Sequence, residues 1–123
     1  MKYLMLIYGN QEKWASIPAD QWPEAIARQD AFNRKYRETG ELIGAYGLAN
    51  EVQARLVRRE NGQPAVTDGP FLESKEYLGG FYLIDCENKE RAIELAAQIP
   101  DAAIEGLGVE VRQVMFADGQ LEA

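Results

Sequence analysis

MKYLMLIYG (1–9) is the stretch on which the fold turns. Read as a strand over residues 2–8, it points Tyr3, Met5 and Ile7 one way and Leu4, Leu6 and Tyr8 the other. A strand covered on one side alternates apolar with polar residues; this one expects cover on both sides. A second stretch of the same kind lies far along the chain. At 78–86, Gly79 and Gly80 lead into Phe81-Tyr82-Leu83-Ile84, again apolar on both faces. These glycines fit a bulge or a close backbone approach, and they lack the spacing of a nucleotide-binding loop.

Between the two stretches, residues 10–19 read as a loop. Asp20 is placed to cap a helix and Pro23 is tolerable in its first turn. The helix runs to Thr39, with Trp22, Ala25, Ile26, Phe32 and Tyr36 at helical spacing and Gly40 as its stop. Residues 41–48 predict a second strand. Residues 52–59 and 64–67 flank Asn61-Gly62, a two-residue hairpin signal. After 78–86, Asn88 caps a second helix through Ile99, with Ala92, Ile93, Ala96 and Ile99 as its stripe, and Pro100 stops it. Residues 109–116 predict the last strand.

With the hairpin set aside, the order is strand, helix, strand, strand, helix, strand. That is the α+β, ferredoxin-like split βαβ order, carrying an inserted β-hairpin. Its first and third core strands are central, and they are the two with apolar residues on both faces. Two helices cover one face. The simplest cover for the other is a second copy packed sheet to sheet, so a homodimer is expected. Residues 1–117 read as one domain, and the tail, 118–123, as frayed.

Composition narrows the function. The chain has 123 residues, 13 basic and 20 acidic, for a net charge of −7. Such a chain repels phosphate backbones, and its densest basic group, Arg55, Arg58 and Arg59, is flanked by Glu51 and Glu60. No nucleic-acid partner is expected. The apolar run at the N-terminus is too short for a signal peptide or a membrane span, so no membrane partner is expected either. A single cysteine, Cys86, rules out an intrachain disulfide and suits a cytoplasmic location; it reads as a small buried hydrophobe. There is no histidine. That excludes a Cys/His zinc site, a Ser/His/Asp set and histidine acid–base catalysis. No EF-hand spacing occurs, and no metal or cofactor is expected.

DGPFLESKE (68–76) is the segment whose residues look chosen for more than folding. Together with MKYLMLIYG, FNRKYRETGELIGAYGL, VTDGPFLESKEYLGGFYLIDC, AIELAAQIP and GVEVRQV, it resembles the YCII-related family, in its DGPF-domain branch. The resemblance covers nearly the whole chain. It implies a dimeric α+β barrel of ferredoxin-like subunits and says little about activity. It also implies a possible sigma-factor link, since members are often encoded beside sigma factors of the extracytoplasmic-function type. Smaller relatives carry a histidine in the first helix and a nearby aspartate. Those positions fall near Gln29 and Glu38 here, so the histidine mechanism does not carry over, but its location does.

Candidate residues follow. Asp68-Gly69-Pro70-Phe71 has the residues of a rigid turn, with Phe71 as an anchor into the core and Asp68 as a carboxylate at a pocket mouth. Lys75 suits an anionic ligand group, and Glu73, Lys75 and Glu76 equally suit a solvated charge run. Gln29 interrupts an apolar stripe and needs hydrogen-bond partners if buried. Tyr3, Tyr8, Tyr46 and Tyr82 suit core or interface positions. The expected pocket is thus Gln29, Asp68, Phe71 and Lys75. Three functions compete: a dimeric small-molecule-binding or regulatory protein, an enzyme moving protons with Asp68, Lys75 or Glu76, and a structural interaction module.

Overall fold

The computed structural model describes residues 1–69 and 76–119. β1 (Lys2–Gly9) lies inside a four-stranded antiparallel sheet, between β5 (Tyr77–Asp85) and β6 (Gly108–Gln113). β2 (Leu42–Gly47) pairs with the far side of β5, giving the order β2-β5-β1-β6. The two strands apolar on both faces are therefore the central pair. β3 (Arg55–Glu60) and β4 (Gln63–Asp68) form a separate two-stranded sheet. Asn61 and Gly62 join them with φ of 52° and 76°, the two left-handed residues of a type I′ turn.

The helices are α1 (Gln11–Ala15), α2 (Trp22–Glu38) and α3 (Lys89–Ala97). Tyr3, Met5 and Ile7 of β1 and Tyr82 and Ile84 of β5 meet Phe32 and Tyr36 of α2 and Ala92, Leu95 and Ala96 of α3 in one core. Phe32 meets Tyr82 edge-on at 5.5 Å. The architecture is α+β and ferredoxin-like, with α2 and α3 on one face of the sheet. On the opposite face the register sets Leu4 against Leu83 and Leu6 against Phe81, and Tyr46 lies 5.1 Å from Phe81. Among the described residues, none of these five joins the core cluster.

One ion pair ties the start of β2 to α3. Arg91 donates through Nε and Nη2 to both carboxylate oxygens of Glu41, at 2.9 and 3.0 Å. This two-point contact holds the Glu41 carboxyl below the usual carboxylate range, against the opposing effect of burial.

Several boundaries differ from the sequence reading. The expected loop at 10–19 contains α1, because Asn10 Oδ1 accepts the Lys13 N–H at 2.9 Å and so starts a helix. Asp20 does not cap α2. It sits in a one-turn 3-10 helix, Ala19–Gln21, and Gln21 takes the cap position without a side-chain bond. Val52 lies in a 3-10 turn, Glu51–Gln53, ahead of β3. On α3, Ile93 is 52% exposed and Leu95 is fully buried in its place. The last strand stops at Gln113, leaving Met115 and Phe116 exposed.

Candidate ligand-binding site

A cleft of about 330 Å³ opens between α2 and the sheet, within the size range of small-molecule sites. Gln29 and Asn33 of α2 are one turn apart and face it together. Tyr82 reaches it from β5. Gln29 Nε2 donates to the Tyr82 hydroxyl and to Asn33 Oδ1, the latter at 3.1 Å. An amide in an apolar stripe is thus used to hold a phenol from a central strand.

Trp14 closes one end. Its indole fits because Gly9 and Gly79 present bare backbone there; a Cβ on Gly79 would run into the ring. Gly79 is also the residue skipped in the register, since Ile7 pairs with Gly80 and Tyr8 with Leu78. Asp101 completes the lining from a 3-10 turn, Pro100–Ala103, just beyond α3.

Two groups in the cleft have shifted proton affinities. Burial pushes the Tyr82 phenol up to about 12; the Gln29 hydrogen bond pulls it back and the Asp101 charge adds to the rise. Tyr82 therefore stays protonated at neutral pH, accepting from Gln29 and keeping its own proton to donate. Burial also raises the Asp101 carboxyl, against hydrogen bonds from its own backbone N–H and the Trp14 indole N–H. The cleft offers a neutral phenol donor, two amides and one carboxyl.

Of the residues expected to form a pocket, Gln29 lines this cleft and Asp68 does not. Asp68 ends β4, with its side chain 90% exposed and 3.2 Å from Arg55 across the hairpin. Glu76 pairs with Lys13 at 3.0 Å, and Lys13 also donates to the Gly106 carbonyl at 2.7 Å. Phe71, Glu73 and Lys75 lie outside the described residues. Glu38, near which the resemblance implied an acid, is exposed and absent from the cleft lining. Cys86 is a buried free thiol, pushed upward by burial and so a poor nucleophile.

The sequence reading missed Trp14, Asn33 and Asp101. Asn10 set three residues before Lys13 was a legible capping signal for α1, and hence for Trp14. Asn33, four residues after Gln29, was legible as its helical neighbour. Asp101 had no such signal, because it reaches the cleft only through the turn that follows Pro100.

A sequence model of the YCII-related domain matches residues 1–117. The chain belongs to the YCII-related family. An uncharacterized protein of Rhizobium meliloti (strain 1021) is 36% identical over 123 residues, and the match covers 98% of each chain. In this YCII-related chain the cleft is lined by Gln29 of α2, and Asp101 supplies its acid. Among the described residues, no helix is long and apolar enough to cross a membrane, and no group of three or more His, Cys, Asp and Glu could hold a metal ion.

Proposed function

We propose that this YCII-related protein binds a small molecule in the cleft between α2 and the sheet, and that it works as a homodimer. The observation that carries the first part is the Gln29–Tyr82 hydrogen bond. It spends a helix amide on fixing one phenol at the floor of an open cleft, where a core would use two apolar residues. The reading is tested by thermal-shift screening against metabolites. A ligand at about 100 times its Kd should stabilise the protein by about 2.7 kcal/mol. Tyr82→Phe and Gln29→Leu should each remove that stabilisation; hits that survive both would place the ligand elsewhere.

The dimer reading rests on the sheet face carrying Leu4, Leu6, Phe81, Leu83 and Tyr46, which lies away from α2 and α3. A face of this size and polarity is expected to be covered, and a second copy gives a closed, two-fold α+β barrel. The β3–β4 hairpin is then an insertion at its rim. Light scattering at micromolar concentration should give twice the chain mass, and Phe81→Glu should give a monomer. A monomeric parent protein would sink this part. Under the same proposal the chain is a member of the DGPF branch, a reading supported by its DGPFLESKE segment, and a sigma factor is the partner to seek by co-purification.

A second reading is an enzyme. Its support is Asp101, a carboxyl held in the cleft with its proton affinity raised by burial, as a proton carrier requires. Asp68 and Glu76 suit that role less well, because each is paired with a cation on an exposed surface.

A further inference from the structure

We propose that the ligand is an amphipathic organic amine, with its ammonium at Asp101 and its apolar body lying over Trp22 and Ile26. This rests on the cleft reading above and adds the chemical class. A second cavity of about 250 Å³ adjoins the cleft and shares Trp14, Gln29 and Asp101 with it. Its remaining walls are apolar: Trp22 and Ile26 of α2, with Ile17, Ala25, Pro100 and Ile104. Trp22 is 38% and Ile26 56% exposed, although both lie on the stripe that α2 turns toward the core further along. A polar chamber and an apolar chamber thus meet at Asp101.

The charge at that junction is one-sided. Among the described residues, Asp101 is the only charged residue lining either cavity, and it has no ion-pair partner. Its carboxyl accepts from the Trp14 indole N–H and from its own backbone N–H. A partly buried carboxylate gains most from a cation. The walls beside it include Trp14, Trp22 and Tyr82, aromatic rings of the kind that favour organic cations. A carboxylate ligand would bring a second anion into the same space, and a neutral one would forgo the Asp101 charge.

Both tryptophans of the chain, Trp14 and Trp22, line these cavities, so intrinsic fluorescence reports on them directly. The probes are 2-phenylethylamine, 2-phenylethanol and phenylacetate, titrated into the full chain at neutral pH. The amine should bind at least about tenfold tighter than the alcohol, and phenylacetate weakest. Asp101→Asn, checked for an unchanged circular dichroism spectrum, should remove the preference for amine over alcohol. Trp22→Ala should weaken both by the same factor. An alcohol or acid that binds as tightly as the amine overturns the proposal, as does a preference that survives Asp101→Asn or an amine that fails to saturate at millimolar concentration. If the alcohol binds equally well and Tyr82→Phe still abolishes binding, the cleft reading stands and only the amine class fails. If binding ignores Tyr82→Phe and Gln29→Leu, the cleft reading itself fails.

Discussion

Ile84→Ala is expected to destabilise the protein by about 2–5 kcal/mol, the range for emptying a packed core position. Ile84 is 0% exposed and sits on β5, the strand shared by β1 and β2. The register sets it opposite Tyr3 on one side and Leu42 on the other, so its methyls are enclosed by both neighbouring strands and by the helices above. Central strands cannot collapse into such a void without breaking ladder hydrogen bonds. A domain of this size is stable by about 5–15 kcal/mol, so the loss is a large fraction of the total. Ile93→Ala is the matched control. Ile93 is a similar side chain on α3, but it faces solvent, and its truncation should cost no more than about 0.5 kcal/mol. Urea melts at one fixed protein concentration measure both. Equal midpoint shifts for the two variants would contradict the assignment of the core.

That pair of isoleucines also marks what the sequence could and could not convey. The sheet was legible because period two admits one reading once a strand is apolar on both faces: residues 2–8 and 78–86 had to be central, and they are. The hairpin was legible because Asn61-Gly62 supplies two consecutive left-handed residues. Helix faces were harder. Along α3 and the two residues after it, Ala92, Ile93, Ala96 and Ile99 make as regular a stripe as Ala92, Leu95, Ala96 and Ile99, and only packing against the sheet selects Leu95. On α2 the stripe is real at Phe32 and Tyr36 but opens at Trp22 and Ile26, which line a cavity instead of joining the core.

The site divides in the same way. Gln29 was legible as an exception to a pattern, and a buried amide has to find a partner. Its partner, Tyr82, comes from a strand 53 residues away, so no local signal pairs them. DGPFLESKE drew attention by its density of charge and turn residues, yet the two described carboxylates of that segment are in surface ion pairs. Local composition marks turns and surfaces well. A cleft is made by elements distant in sequence, and Asp101, carried in by the turn after α3, is the clearest case.

Gly80→Ala is expected to cost about 1–3 kcal/mol and to abolish ligand stabilisation together with it. A Cβ built on Gly80 would lie 2.6 Å from the Tyr46 carbonyl oxygen and 3.4 Å from the Gly47 Cα. Both are backbone atoms of β2, the strand paired with Gly80 through Gly47, so no side chain can rotate to make room. The β2–β5 ladder has to shift. Alanine would also stiffen the unfolded chain and return about 0.4–1 kcal/mol, which is smaller than the clash and leaves the sign unchanged. Gly80 and Gly47 both line the cleft, so moving one strand against the other displaces the wall opposite Gln29. Gly47→Ala is the control for stability: nothing lies within 4 Å of a Cβ there, so it should be neutral or slightly stabilising. Denaturant midpoints and ligand-induced Tm shifts on the two variants decide the matter. A Gly80→Ala protein as stable as its parent would mean that β2 and β5 do not approach as closely as this register requires, and the cleft between α2 and the sheet would then have a different floor.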